Sequence, residues 1–449
     1  MRPAARIDAV PSAKESTGDM TANDAYVAAL TLAPTAGDHM RIPGSQAFVN
    51  GMNEAWALLE QAVARDPAFA PAHAARGNIL VRGGFLDDAC AAYARAAELD
   101  PDDAATRYAL AELALLARDE AVAETLFAAA FARNRLFSPP VPQRGARHAL
   151  MLCHAGPWPA NMPLDFLLDD RQWTLHRWFL PDPNSDTRAV PAVDLVIDAL
   201  GESLGGHPAL ADAERIIARL GIPAINDPRR LRGLGRDRLA VTLANVTGAR
   251  VASSWRVSRD DLAAGNVAFT YPLLVRPVDT HGGRGLERIE APSDLARYLA
   301  GATAPLYDCS AFVEYRSADG WYRKYRIMFV NGVAYPYHLA IHDDWMVHYH
   351  RTETTETAWM NDEEALFLTE PQRAFAGWNS IVSAIGAAIG LDYVGIDCTQ
   401  LADGTVLVFE ADSAMLVHAL DRSAAGRVKR AATARIAAAL TALFALRAG

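Results

Sequence analysis

Three carboxylates near the C-terminus are spaced so that a hairpin would gather them on one surface. Asp397, Glu410 and Asp412 lie in the stretch LDYVGIDCTQ-LADG-TVLVFEAD, Leu391 to Asp412. Tyr393, Val394, Ile396, Cys398 and Thr399 on one side favour extended backbone, as do Thr405, Val406, Leu407, Val408 and Phe409 on the other. Between them, Asp403-Gly404 predicts a two-residue type I′ turn, which needs positive φ at both central positions. Ala402 then faces Thr405, Asp397 falls opposite Glu410, and Asp412 shares the face of Glu410. Like charges directly opposite each other destabilise a sheet. A hard divalent cation would remove that conflict, and oxygen-only ligands point to Mg²⁺ or Mn²⁺. The competing reading is a solvent-facing edge hairpin with scattered acids. Against it, the intervening residues are almost all apolar, which implies burial of the other face.

A second stretch offers the opposite charge. Tyr271-Pro-Leu-Leu-Val-Arg276-Pro277 reads as a buried strand ending in a cation, and Gly282-Gly283-Arg284-Gly285 follows as a glycine loop holding a second one. Glycines let backbone N–H groups approach phosphate oxygens, and two arginines neutralise them. A plain hairpin turn with a surface arginine is the alternative, because a glycine loop alone is weak evidence.

Between Tyr335 and Met360 runs YPYHLAIHDDWMVHYHRTETTETAWM, with His338, His342, His348 and His350 beside Trp345, Tyr349 and Arg351. One reading is a substrate-facing strand and lid, in which His348 or Arg351 grips a substrate carboxylate or takes a proton from an attacking amine. The other is a structural loop whose histidines pair with Asp343, Asp344 and Glu353. No spacing in the run commits three ligands to one face, which argues against zinc. His418 reads either as a neighbour of the metal edge or as a hydrogen-bonded structural histidine.

Elements that could position these groups follow in chain order. The first forty or so residues are rich in Pro, Gly, Ser and Thr, with a short helix predicted over Ala22 to Leu32. From about Met52 the sequence repeats at an offset of 34 residues: Asp66-Pro67 recurs as Asp100-Pro101, Ala55 maps to Ala89 and Ala123, Leu59 to Tyr93 and Phe127, and Ala62 to Ala96 and Ala130. Small residues where helices approach, a large one filling the gap and a proline after the second helix resemble a tetratricopeptide array of about two and a half to three repeats. Gly77 and Gly83-Gly84 fit its close-packed helix and turn, and Arg135 stands where a third Pro would be. A generic Ala-rich bundle would not keep this register over three units. Such an array binds a protein partner, docks on its own enzyme domain or makes a dimer.

Phe137-Ser-Pro-Pro-Val-Pro142 predicts a stiff linker. Beyond it, strand candidates His148–Cys153, Trp173–Leu180, Val193–Ile197 and Ile222–Ile225 alternate with a helix over Ala209–Leu220, which predicts a small parallel sheet. A helix from about Arg236 to Leu243 and a strand at Leu286–Ile289 are also expected. The C-terminal Arg427–Arg447 reads as an amphipathic closing helix, too short in its apolar part to span a bilayer, with a membrane-surface helix as the minor alternative.

Composition excludes several classes. In 449 residues, 51% hydrophobic and 21% charged with a formal charge of −10, the balance is that of a soluble globular chain and disfavours nucleic acid as partner. Cys90, Cys153, Cys309 and Cys398 are far apart and read as reduced thiols in a cytoplasmic protein. The N-terminus lacks the apolar segment of a signal peptide, and no uninterrupted apolar run reaches membrane-spanning length.

The order of these parts carries a resemblance. A small α/β region is followed by strand, cation and GGRG, then by Phe312-Val-Glu314-Tyr315, Arg323-Lys-Tyr-Arg326-Ile-Met-Phe-Val-Asn-Gly332, and finally Asp397 with Glu410-Ala-Asp412. From roughly Arg147 onward this is similar to the ATP-grasp superfamily of carboxylate–amine ligases, in the layout of its glutathione-synthetase and RimK-like groups. The resemblance implies an α/β (α+β) ATP-grasp fold with a small Rossmann-like domain before it, behind the all-α repeat region. Expected divisions are a flexible segment at 1–45, repeats at 46–137, the small α/β domain at 138–237 and the ATP-grasp domain at 238–449, with a lid to about 310. It further implies ATP and Mg²⁺ (or Mn²⁺) as cofactors. Arg276, Gly282, Gly283, Arg284 and Gly285 would hold the phosphates, and Val313 and Glu314 would contact adenine and ribose. Arg326 would face the transferring phosphoryl group, with Arg284 and His348 as further catalytic candidates. Asp397, Glu410 and Asp412 would bind two ions. Three positions depart from the usual pattern: Arg276 for lysine, Asp412 for asparagine, and Lys324 where an aspartate commonly stands. The expected activity is ATP-dependent joining of a carboxylate to an amine on an amino acid, peptide or small metabolite. Two alternatives stay open, an interaction protein whose degenerate nucleotide site acts as a switch, and a phosphotransferase on the same fold.

Overall fold

The computed structural model describes residues 20–33, 46–139, 147–155, 160–168, 172–201, 207–266, 270–280, 282–347, 357–370, 373, 375–418 and 424–449. Six helices come first: α1 (Ala22–Leu32), α2 (Gln46–Arg65), α3 (Ala70–Gly83), α4 (Leu86–Leu99), α5 (Ala104–Leu116) and α6 (Glu120–Arg133). They pack as the pairs α1–α2, α3–α4 and α5–α6. A capping box opens α1, in which the Thr21 side chain accepts from the Asp24 N–H and the Asp24 carboxylate accepts from the Thr21 N–H. Ala25 and Ala29 of α1 are buried in one cluster with Ala55 and Leu59 of α2. The helix predicted over Ala22 to Leu32 is therefore present, packed on α2 within the 1–45 segment.

The 34-residue offset is visible as burial. Ala55, Ala89 and Ala123, Leu59 and Tyr93, and Ala62, Ala96 and Ala130 are all buried, while Phe127 is half-buried. Gly77 shows the physical reason, since a Cβ there would lie 2.5 Å from the Tyr93 ring. Helices α2 and α4 stop just before Asp66-Pro67 and Asp100-Pro101, because proline cannot continue the hydrogen-bond ladder.

After α6 the chain enters a five-stranded sheet ordered β1-β3-β2-β4-β5, made of β1 (Leu136–Phe137), β2 (Arg147–His154), β3 (Trp173–Leu180), β4 (Leu195–Asp198) and β5 (Ala224–Ile225). All but the antiparallel edge strand β1 run parallel, as the alternating pattern predicts. Tyr108 of α5, Phe131 of α6 and Phe137 of β1 close on Phe179 of β3, with ring centroids at 4.5, 5.3 and 5.4 Å. The last helix pair is thus seated on the sheet by an aromatic joint. Helix α7 (His207–Leu220) ends at Gly221 with φ 62°. After α8 (Pro228–Leu231), the helix expected from Arg236 shrinks to one turn, α9 (Leu239–Thr242). Arg236 itself lies in a turn in which the Arg238 N–H donates to the Gly235 carbonyl.

A second, four-stranded antiparallel sheet has the order β7-β10-β8-β9, from β7 (Ser254–Ser258), β8 (Leu273–Pro277), β9 (Glu287–Ile289) and β10 (Leu306–Ala311). Helices α10 (Arg259–Ala264) and α11 (Pro292–Gly301) cover it, burying Val257, Leu262, Val275, Leu295 and Tyr307.

The third sheet holds the acids. Its order is β12-β11-β13-β14-β6, from β6 (Ala249–Val251), β11 (Tyr322–Val330), β12 (Val333–His342), β13 (Tyr393–Gln400) and β14 (Val406–Asp412). Ile327, Phe329, Val394 and Ile396 form one buried cluster with Phe367 of α12 (Ala358–Thr369) and Val382 and Ile385 of α13 (Asn379–Ile389). Two polar ties lock this sheet to the first. Asn226 exchanges hydrogen bonds of 3.0 and 3.1 Å with the Tyr393 backbone, and the Ser413 hydroxyl donates to the Leu200 carbonyl at 2.7 Å.

The closing helix is α14 (Ala424–Ala448). Contrary to the expectation from its sequence, Val428–Ala448 is long and apolar enough, by length and composition, to cross a membrane. Its Ile436, Leu440, Leu443 and Phe444 are instead buried in a cluster with Met151 of the first sheet and Met328 of the third.

Candidate functional site

Four polar side chains stand in line across the third sheet. His338 on β12 is paired with Arg326 on β11, Arg326 with Asp397 on β13, and Asp397 with Glu410 on β14. The expected pairing of Asp397 with Glu410 is therefore present, but the turn that produces it is different. Leu401 and Thr405 close a three-residue loop, with the Gly404 N–H donating to the Leu401 carbonyl and Gly404 at φ 85°. Asp403 is not at positive φ, so the turn is not type I′. That loop shifts the register by one residue, and a bulge between Asp397 and Cys398 shifts it back. A second bulge follows Arg326 on its β12 side. Bulges re-aim side chains beside functional sites, and here two of them flank the same charged row.

The carboxylate conflict is relieved by cations of the chain itself. Arg326 forks onto Asp397 with N–H···O bonds of 2.7 and 3.0 Å, and Lys324 Nζ lies 3.0 Å from Asp397 Oδ2. Burial alone would raise the Asp397 carboxyl, which is 1% exposed, yet the charges of Arg326 and Lys324 hold it well below the usual carboxylate range. Glu410 is likewise opposed by burial and held down, in its case by Arg236, whose Nη2 lies 2.7 Å from Oε2. At the end of the row, His338 Nδ1 is 2.5 Å from Glu364 Oε1, which also lies 3.5 Å from Lys429 Nζ.

A second charged row crosses the other sheet. Asp308 on β10 is paired with Arg256 on β7 on one side and Arg276 on β8 on the other. Arg256 Nε donates to Asp308 at 3.1 Å. Arg236 joins the two rows, reaching Glu410 with one nitrogen and Asp308 at 3.9 Å with the other. Arg276 is held by the Thr280 hydroxyl at 3.1 Å and by the Thr280 carbonyl. Burial, and then the like charge of Arg236, push its guanidinium down to about 10. Two desolvated guanidinium groups that repel each other form a site that favours an anion.

The remaining expected residues are placed as follows. Gly282, Gly283 and Gly285 lie in the turn between β8 and β9, all at positive φ, with Gly285 carbonyl accepting from the Tyr298 hydroxyl. Arg284 does not join the charged rows: its side chain is 75% exposed and pairs with Glu120 of α6 at 3.3 Å. Val313 and Glu314 lie on the segment linking β10 to β11, where Glu314 Oε1 accepts from the N–H groups of Tyr315 and Arg316. Asp412 is opposite Gly395, and its Oδ1 accepts from the Ala414 N–H. His348, with His350 and Arg351, falls outside the described residues. His418 backbone groups bond with the Tyr337 hydroxyl.

Arg236, Asp308 and Arg256 were not singled out by sequence reasoning. Arg236 sits in RGLGRDR, where neither periodicity nor a motif marks it. Its role appears only when two sheets are brought together.

The oxygen donors of Glu410 and Asp412 suit a hard divalent cation. Asp397 fits that duty poorly, because both its oxygens already accept from Arg326 and Lys324. Among the described residues no group of three or more His, Cys, Asp or Glu side chains is arranged to hold a metal ion.

No family model matches the chain, and no curated protein matches it. Several solved structures are similar to it. A RimK domain protein ATP-grasp from Sphaerobacter thermophilus is 13% identical, with 66% of this chain and 99% of that chain covered at a TM-score of 0.41. The VanG D-Ala:D-Ser ligase of Enterococcus faecalis is 12% identical over 67% of this chain and 99% of that one, at 0.42. The D-alanyl-alanine synthetase A of Vibrio cholerae is 12% identical over 68% and 98%, at 0.43.

Proposed function

We propose that the protein is an ATP-dependent ligase that activates a carboxylate as an acyl phosphate and joins it to an amine. The observation that carries this reading is the junction at Arg236, where the row Arg256–Asp308–Arg276 meets the row Arg326–Asp397–Glu410. Such a junction suits a polyanion: arginines for its charge, acids for an accompanying cation, and a glycine turn beside them. Phosphoryl transfer asks for positioning and charge neutralisation more than for covalent help.

In this reading Arg276 and the N–H groups of the 282–285 turn bind phosphate oxygens, and Val313 and Glu314 line the place of the base and ribose. Arg326 meets the charge that develops on the transferring group, its guanidinium fixed by the Asp397 fork. A divalent ion held by Glu410 and Asp412 supplies further neutralisation of the phosphates when bound. A carboxylate oxygen of the substrate attacks the terminal phosphorus as the bond to the bridging oxygen breaks, leaving an acyl phosphate and ADP. The amine then attacks the carbonyl carbon, phosphate leaves, and an amide remains. Arg284 enters the site only by leaving Glu120, an exposed pair of the kind worth about 0–1 kcal/mol. His348 is assigned to the attacking amine's proton. The paired helices are read as a tetratricopeptide module that presents a peptide or protein substrate.

The test is phosphate release from ATP and Mg²⁺ by purified protein supplied with pooled amino acids and peptides, with products followed by mass spectrometry. An amide product lost in Glu410→Ala supports the ligase. ADP without an amide indicates phosphotransfer, and nucleotide binding without turnover indicates a switch.

A further inference from the structure

Lys324 stands two residues before Arg326 on β11, so both side chains leave the same face of the third sheet. Its ammonium is 3.0 Å from Asp397 Oδ2. The same oxygen accepts from Arg326 Nη2, and Oδ1 accepts from Arg326 Nε. Three of the roughly four lone-pair directions of this carboxylate are therefore in use. The carboxylate is also almost wholly buried, which leaves no open side for a hydrated ion to approach. A divalent cation at Asp397 would have to displace the ammonium and then sit beside the Arg326 guanidinium.

Charge balance leads to the same place. The acids Asp308, Asp397, Glu410 and Asp412 are met by five cations, Arg236, Arg256, Arg276, Lys324 and Arg326. Both oxygens of Asp397 are taken by cations, whereas Glu410 has Oε2 on Arg236 and, like Asp412, is half-buried and nearer to solvent.

We infer that Lys324 is a built-in cation that takes the place of a metal ion at Asp397, so that the site binds its nucleotide with one divalent ion instead of two. Asp397 is then a positioning residue for Arg326 and Lys324, and Glu410 and Asp412 alone hold the ion. This inference rests on the ligase reading for the nucleotide, but its central contact, Lys324 with Asp397, does not.

The experiment counts bound Mn²⁺ by electron paramagnetic resonance on the full-length chain, with and without a saturating β,γ-methylene analogue of ATP. Calorimetry reports analogue binding on the same samples. Wild type is expected to bind one Mn²⁺ per chain with the analogue. Lys324→Asp is expected to bind one more than wild type in either condition, and Lys324→Met, which keeps the stem without the charge, to gain the same ion more weakly. Thermal melts confirm that each variant is folded. Two ions in wild type, or an unchanged count in both variants, overturns the inference. If no analogue binds at any Mn²⁺ concentration, the ligase reading fails. The role of Lys324 is then decided on the nucleotide-free chain, by whether Lys324→Asp gains an ion that wild type lacks.

Discussion

Arg326 and Asp397 face each other on adjacent antiparallel strands, and two parallel hydrogen bonds of 2.7 and 3.0 Å join them at the centre of the third sheet. A fork of this kind fixes both planes at once, so the guanidinium has one orientation relative to the sheet. Lys324 and Glu410 are arranged around that fixed pair.

Removing the acid takes from two half-buried cations, Arg326 and Lys324, the carboxylate they share. Asp397→Ala is expected to lower stability by about 3–5 kcal/mol, measured by urea unfolding. The carboxyl's folded pKa lies below its unfolded value, so its contribution is present above about pH 4 and is lost as the pH falls further. The variant's stability should accordingly respond less steeply to acid than that of the wild type below that pH. Equal acid limbs for the two proteins would argue against the pairing.

Arg276→Ala should separate binding from stability. Loss of one charge-assisted contact, about 1.5–3 kcal/mol, weakens a nucleotide analogue roughly 10- to 150-fold by calorimetry. The unliganded protein should melt no lower, because the repulsion with Arg236 is relieved at the same time. An analogue bound as tightly as by wild type would place the phosphates elsewhere.

Asp198 offers a prediction on pH in the first sheet. It is fully buried at the end of β4, its Oδ1 accepts from the Leu200 N–H, and its Oδ2 has no hydrogen-bond partner among the described residues. Burial pushes its carboxyl up to about 8. The folded state thus keeps a proton that the unfolded chain has released above about pH 4, and stability falls between pH 4 and 8 by up to about 1.4 kcal/mol per unit from this group. Asp198→Asn should flatten that slope and stabilise the protein at neutral pH, read from unfolding curves at pH 5, 6.5 and 8.

Phe179→Ala removes the ring on which Tyr108, Phe131 and Phe137 converge. A loss of about 3–5 kcal/mol is expected. The helices should then melt apart from the sheets, seen as a second transition in calorimetry. A single cooperative transition, merely shifted, would mean that other contacts hold the joint.

Much of this was legible in the chain because it is local. Alternation located the strands, the 34-residue offset located buried alanines, and counting from the hairpin placed Asp397 against Glu410. The count succeeded through two departures that cancel, a three-residue turn at Gly404 and a bulge beside Asp397. LADGT suits a three-residue loop with Gly404 in the left-handed position as well as a two-residue turn, and the bulge has no mark in the sequence. Lys324 was visible only as an unusual residue, since its partner lies on another strand. Arg236 was invisible, because a turn residue acquires meaning only from what two separate sheets bring to it. Arg284 was assigned to phosphate from its glycine neighbours, and its pairing with Glu120 depends on helices more than a hundred and fifty residues away in sequence.

The aromatic joint at Phe179 changes what the helical region can offer a visitor. A flexibly tethered arm raises only the local concentration of what it carries, and leaves orientation to chance. Helices clamped to the sheet by four rings behave as a jig. If the helices hold a partner as proposed, its orientation would follow the geometry of that clamp and no property of a linker.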